Sequence, residues 1–347
     1  MSTIAIIGAG MGGLVAGNLL AQKGHKVTIF ESHTAPGGYT AGFWKKGYYF
    51  ESGTVSFESS AIINQTMQEL GIQDKINFSR QHIRWMSPFF DVTIHSLDEL
   101  QTALLKAFPD QQHELERLFA EVNTMWRRLV ALGRPTSLAS TIAYPFKLMG
   151  YMGFLKKYDR MTLPEFCAQY LDTGSAAYRL LSSVGYPDMS AIVLAGALMT
   201  FVHDYWTVKT GMQSWADVLA ENFRAQGGDL QLGTMVKKII TKRGAAAGVR
   251  TGDREYPADY VISASDFKKT FFNLLDDPNV LPDDFKKKIA DAQVSESFFT
   301  VYCGLNLPRE KMEAYMRIPH VFYYDDHADF DIHNAQDDRF FEKTSPT

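Results

Sequence analysis

The residues best suited to hold a phosphate stand at the start of this chain. Gly8-Ala9-Gly10-Met11-Gly12-Gly13 follows the apolar run Ile4-Ala5-Ile6-Ile7 and opens a helical pattern, and a second apolar run, Val27-Thr28-Ile29-Phe30, ends at Glu31. In that setting Gly8 permits a tight turn off a strand, Gly10 lets the backbone approach a pyrophosphate, and Gly13 allows a helix to pack closely. The helix N-terminus then presents unpaired N–H groups and the positive end of its dipole to the anion. Glu31, about twenty residues beyond the turn, is placed to accept hydrogen bonds from ribose hydroxyls, and its charge disfavours a 2′-phosphate, so NADP is not expected. A glycine triplet alone is a weak sign, whereas strand, turn, helix, strand and acid in order make a strong one.

Other chemistry is sparse. His203-Asp204-Tyr205 is read as a surface turn, because neighbouring His and Asp residues are common without catalysis. The tail residues His320, Asp325, Asp326, His327, Asp329, Asp331 and His333 mix imidazole and carboxylate, yet their spacing matches no metal site and they are read as a solvated face. No metal site is expected, and the catalytic residues stay unassigned. Cys167 and Cys303 are too far apart in sequence to suggest a disulfide framework or a zinc pattern, which fits a reducing, cytoplasmic setting. The net charge of -4, with no basic stripe, argues against nucleic acid.

The elements that must position the turn follow from patterning. With 347 residues the chain exceeds one usual hydrophobic core, so two lobes are expected. Phe43 to Phe50 alternates around Lys45-Lys46-Gly47 as a short hairpin ending at Glu51-Ser52-Gly53. Leu115, Leu118, Phe119, Val122, Met125, Trp126, Leu129 and Val130 fall on one helix face and read as core rather than as a lid. Met189 to Val202 is too short to span a bilayer and reads as a buried helix. No signal peptide is expected, because the first strand begins almost at Met1.

Tyr144 to Tyr158 combines aromatics, methionines, Gly150, Gly153 and three lysines, and two readings of it stand side by side. One is a peripheral helix with its apolar side in a membrane interface; the other is a helix packed on the protein. Further on, Asp217 to Ala225 reads as a helix ended by Gly227-Gly228. Leu230-Gln231-Leu232, Met235 to Ile240, Gly248-Val249-Arg250 and Tyr260-Val261-Ile262 read as strands.

Four blocks together resemble the FAD-dependent phytoene desaturase, carotenoid isomerase and retinol saturase family, within the flavin amine oxidase-like superfamily. They are Ile6-Ile7-Gly8-Ala9-Gly10-Met11-Gly12-Gly13-Leu14; Glu31 with Pro36-Gly37-Gly38; Gly47-Tyr48-Tyr49-Phe50-Glu51-Ser52-Gly53; and Gly227-Gly228 through Val236 to Val261-Ile262-Ser263-Ala264-Ser265-Asp266. The resemblance implies FAD as cofactor, with Gly8, Gly10 and Gly13 on the pyrophosphate, Glu31 on the adenosine ribose and Gly37 and Gly38 on the phosphate side of the flavin half. By the same analogy Val236 offers backbone groups to the adenine and Gly53 approaches the isoalloxazine. The chain departs from the pattern at Thr207 to Met212, where only Gly211 matches, and at Thr34-Ala35, where a basic residue is usual. It also ends at Thr347 without the glycine-rich segment that closes over the flavin in that family, so a truncated chain or a complementing C-terminal polypeptide is expected.

The implied fold is α/β: a discontinuous Rossmann-like FAD-binding domain over residues 1–80 and 211–270, interleaved with a largely helical α+β substrate or membrane-facing domain over 81–210 and 271–347. The implied activity is hydride transfer between flavin and a long apolar polyene or isoprenoid, as a desaturase, saturase or isomerase. The aromatics between Trp85 and Trp215, among them Tyr178, Tyr186, Tyr205 and Trp206, are expected to be mostly core, with some lining an apolar tunnel. Two alternatives remain open: a catalytically incompetent FAD-binding fragment needing a partner chain, and an amine-oxidase-like flavoenzyme on a polar substrate.

Overall fold

The computed structural model describes residues 1–131, 138–158, 160–184, 189–294, 299–316 and 318–324. Two compact units emerge, Met1–Arg80 with Trp206–Asn306, and Gln81–Tyr205 with Leu307–Thr347.

The first unit is built on a four-stranded parallel sheet in the spatial order Tyr260–Ser263, Thr3–Ile7, Lys26–Phe30, Asp229–Gln231. Alternation along the first strand divides its side chains between two faces, as strand geometry requires. Ile4 and Ile6 join Leu14, Val27, Ile29, Trp215, Leu219 and Phe223 under the helices Met11–Gln22 and Met212–Ala225. Ala5 and Ile7 join Phe30, Val236, Ile239 and Val249 on the other face, against an antiparallel sheet of Val236–Lys242, Ala245–Thr251 and Arg254–Pro257. The helices are clamped by one buried amide: Asn18 donates to the carbonyls of Leu14 at 2.8 Å and Leu219 at 2.9 Å, and accepts from Asn222 at 2.8 Å.

The expected hairpin forms as Gly42–Lys45 and Tyr48–Glu51, turning at Lys46 and Gly47, both with positive φ. The helix expected from Asp217 begins at Met212 instead. Gly211 turns the chain at φ 91, and the Met212 N–H is capped by the carboxylate of Glu51 at 2.8 Å. A cap supplied from so far along the chain leaves no local N-terminal signal.

The second unit is mainly helical. Its core gathers Leu100 and Leu104 of helix Leu97–Ala107, Leu115, Leu118, Phe119, Val122 and Met125 of Gln112–Ala131, and Leu194 and Leu198 of Ala191–His203. Met125 is therefore core, and Trp126 packs against it partly buried. A small sheet accompanies the helices: Ile83–Met86 pairs antiparallel with Asp91–Ile94 and parallel with His320–Tyr323. Thr162 starts helix Leu163–Cys167 with a reciprocal capping box to Glu165. Among the described residues no helix is long and apolar enough to cross a membrane.

The unit boundaries differ from those expected. The first break falls after Arg80, but the chain returns at Trp206 rather than at 211 and leaves after Asn306 rather than after 270. Trp206–Val208 pairs with Phe78–Arg80, and Ile239 bridges to Leu275. Tyr302 reaches back to donate to the Glu51 carbonyl at 2.8 Å. Such pairings join residues remote in sequence, and local composition carries no sign of them.

Candidate dinucleotide site

The glycine turn leaves the strand Thr3–Ile7 where that strand's carboxyl end meets its two neighbours, the position at which open α/β sheets bind ligands. A Cβ on Gly8 would approach the Ala264 carbonyl oxygen to 3.0 Å, and one on Gly13 would fall 2.0 Å from the Gly8 oxygen. Both glycines are therefore demanded by packing of protein on protein. Gly10 is different: a Cβ there would meet nothing within 4 Å, so the space before it is open to a ligand. No side chain caps the helix that begins at Met11, and its first turn carries no acid. Its N–H groups and dipole are left to an external anion.

Glu31 is 7% exposed, and its carboxylate is already partly engaged. One oxygen accepts the Ala9 N–H at 2.7 Å; the other accepts the His33 N–H at 2.8 Å and the Ser32 hydroxyl at 3.1 Å. A carboxylate offers about four acceptor positions, so capacity remains for a ribose hydroxyl. The bond to Ala9 ties the acid directly to the glycine turn.

The second glycine pair lies on the first. The Gly37 N–H donates to the Ala9 carbonyl at 2.8 Å, and a Cβ on Gly38 would come within 3.2 Å of the Gly10 Cα. Val236 is buried and begins its strand just after Thr234, whose N–H donates to the Glu31 carbonyl at 2.7 Å. Gly8, Gly10, Gly13, Glu31, Gly37, Gly38 and the segment leading into Val236 thus form one cluster. Gly53 lies against the residue that follows Gly38, where a Cβ would meet the Tyr39 carbonyl oxygen at 2.4 Å. That approach of chain to chain accounts for the glycine by itself.

Three site-proximal residues carry roles that the sequence did not reveal. Glu51 caps Met212 and accepts the Tyr49 hydroxyl at 3.0 Å, while Gln213 donates to the Pro36 carbonyl at 3.0 Å and accepts the Gly42 N–H at 3.1 Å. Burial pushes the Tyr49 phenol up to about 12, helped by the neighbouring Glu51 charge, so the phenol stays protonated and donates. Burial also raises the Glu51 carboxyl above its ordinary value. The only advance sign was the position of Glu51 at the end of an aromatic hairpin.

His203 ends its helix as an exposed residue stacked 6.4 Å from Trp126, but Tyr205 is buried, so the segment is a helix end running into the core and not the surface turn expected. His320 lies 2.9 Å from the Tyr205 hydroxyl, and burial lowers its pKa. Asp325 to His333, like Tyr186, lies outside the described residues.

Residues 11–300 match the family of flavin containing amine oxidoreductases. The chain belongs to that family. A flavin cofactor held by a dinucleotide-type glycine turn is FAD, and the open space at Gly10, the uncapped helix and the remaining acceptor capacity of Glu31 fit its adenosine diphosphate half. The chain is 26% identical over 329 residues to a 4,4′-diapophytoene desaturase (4,4′-diapolycopene-forming) of Methylomonas sp, an alignment covering 87% of this chain and 61% of that one. It is 25% identical over 344 residues to a diaponeurosporene-forming 4,4′-diapophytoene desaturase of Staphylococcus aureus, covering 93% and 66%. It therefore spans less than two thirds of the length of these curated relatives. Among solved structures, an oxidoreductase from Methanosarcina mazei superposes with a TM-score of 0.56 at 20% identity, covering 84% of this chain and 65% of that one. A putrescine oxidase bound to putrescine gives 0.57 at 20% identity, covering 83% and 63%.

Proposed function

We propose that this chain is the FAD-binding body of an oxidoreductase or isomerase acting on a long apolar polyene or isoprenoid. The observation that carries the reading is the reach of the likeness to the diapophytoene desaturases, which covers 87% to 93% of the chain rather than the glycine turn alone. When bound, FAD supplies the acceptor or donor of a hydride. The chain's own part is to hold the adenosine end: the turn and helix N-terminus take the pyrophosphate, Glu31 takes the ribose, and Gly37-Gly38 closes the phosphate side. In desaturation a hydride and a proton leave adjacent carbons of an allylic chain, and one C=C bond forms. Anaerobic mixing of the FAD-loaded protein with 4,4′-diapophytoene tests this. Bleaching of the flavin together with a red-shifted polyene spectrum is expected. Bleaching by an amine such as putrescine, with no response to the polyene, would replace this reading with a polar-substrate oxidase.

A second reading, that a further polypeptide segment completes the first unit, is favoured by one feature. Phe299, Val301 and Leu305 alternate along a segment at exposures of 92%, 68% and 47%, while Tyr302 between them packs its ring 5.2 Å from those of Phe43 and Phe50. Among the described residues, the backbone of 299–306 makes no backbone-to-backbone hydrogen bond. An exposed apolar segment whose backbone is not bonded to another backbone is what strand addition covers. Co-expression with the C-terminal third of a diapophytoene desaturase, followed by co-purification, tests it. Loss of the complex on Val301→Lys is expected, and failure of the two to associate contradicts it.

A further inference from the structure

Side chains at the carboxyl end of strand Tyr260–Ser263 leave it in opposite directions, and only one direction serves the glycine turn. Ala264 faces that turn: its Cβ lies 3.3 Å from where a Gly13 Cβ would stand. Ser263 and Ser265 face away together, with hydroxyl oxygens 2.9 Å apart, and line a cavity of about 280 Å³ in the first unit. Ile239, Val261, Phe267, Phe271 and Leu275 form its apolar walls, with Ala246 on the antiparallel sheet beside them. Among the described residues that line it, none belongs to the glycine turn, and Glu31, Gly37 and Gly38 are also not among them. Thr270, 5% exposed, brings a third hydroxyl to the cavity. It opens the π-helical turn Thr270–Leu274, a rare winding that frequently accompanies functional sites.

The three hydroxyls decide what the cavity can hold. Thr270 donates its hydrogen to the Asp266 carbonyl at 2.7 Å, so toward the serines it can only accept. Its oxygen lies 2.7 Å from that of Ser263 and 3.2 Å from that of Ser265. A hydroxyl has one hydrogen and two lone pairs, so two serine hydrogens are shared among three contacts. The cluster therefore has no donor in reserve and lone pairs in excess. A ligand that donates a hydrogen bond completes it, whereas one that only accepts must break a bond already made. Among the described residues that line the cavity none is charged, so an ammonium or carboxylate would lose its water without gaining a counter-ion. The volume is slightly below the roughly 300–1,000 Å³ of ordinary ligand pockets, which restricts the occupant to a small molecule.

We infer that this cavity is a second binding site, separate from the dinucleotide site, for a small neutral apolar alcohol. The argument uses only the hydroxyl cluster and its apolar walls, so it stands apart from the proposed activity and is tested without flavin or polyene. The full chain is titrated calorimetrically with n-octanol and with methyl hexyl ketone, a molecule of similar size and apolarity that accepts a hydrogen bond but donates none. Saturable binding of one n-octanol per chain is expected, at least fivefold tighter than the ketone. Ala246→Phe fills the cavity from the antiparallel sheet and Val261→Phe from the parallel one, and each should weaken n-octanol binding at least tenfold. Ala246 is exposed, so circular dichroism of its variant should match the parent. Ser263→Ala combined with Ser265→Ala should bring the alcohol and the ketone to equal affinity. Saturating ADP should leave n-octanol binding unchanged, because Ala264 alone faces the glycine turn. Uptake that does not saturate, equal affinity of the parent for the ketone, indifference to both cavity-filling changes, or displacement by ADP would each overturn the proposal.

Discussion

The Glu31 carboxylate accepts the N–H of Ala9 at 2.7 Å, joining the acid that ends the second strand to the middle of the glycine turn that ends the first. One residue therefore serves two purposes: it holds the turn in shape and leaves acceptor capacity for a ribose. Glu31→Ala removes both, and the buried Ala9 N–H loses its acceptor, a change that costs roughly 1–3 kcal/mol. Thermal melts should register that loss, and FAD titration should show affinity falling by more than tenfold.

Gly10 and Gly13 separate cofactor binding from folding. Gly10→Ala places its methyl in open space at φ -70, so the melting temperature should stay unchanged while FAD uptake is lost. Gly13→Ala places its methyl 2.0 Å from the Gly8 oxygen and should yield a destabilised or insoluble chain. Equal behaviour of the two variants in melting would contradict this division.

Glu51 predicts a pH dependence. Burial raises its carboxyl above the ordinary 4.5, so the folded state holds that proton more tightly than the unfolded state. Its contribution to stability is then full below the ordinary value and is lost as pH rises through the folded one. Glu51→Gln keeps an acceptor for the Met212 N–H and removes the titration. Melting temperatures taken from acid to neutral pH should fall less for this variant than for the parent.

Asn18 is fully buried and bonded to both helices of the first unit. Asn18→Ala strands the Asn222 amide and opens a small cavity, for a loss of about 1–3 kcal/mol by denaturant unfolding. Asn18→Asp should be worse, because a buried charge would face the carbonyls of Leu14 and Leu219.

Much of the fold was written locally. Ile4-Ala5-Ile6-Ile7 announced a strand, which the structure buries on both faces, Lys46-Gly47 announced a hairpin, and the stripe from Leu115 to Met125 announced a core helix. The grouping of turn, helix and acid at the candidate site was legible for the same reason, since all three lie within the first 31 residues. What escaped notice depends on distant partners. Met212 is capped by Glu51 from 161 positions away, so its helix has no visible start, and Tyr302 is tied to Glu51 across 251 positions, so 271–306 was assigned to the wrong unit.

The most direct test of the account is an equilibrium titration of the purified full chain with FAD, repeated in the presence of ADP and of NADP. One FAD per chain is expected, displaced by ADP, which shares the adenosine diphosphate half, and not by NADP, whose 2′-phosphate meets the Glu31 charge. A chain that takes up no FAD, or whose uptake is indifferent to ADP and to Gly10→Ala, would contradict the assignment of the glycine turn and Glu31 as the cofactor's cradle.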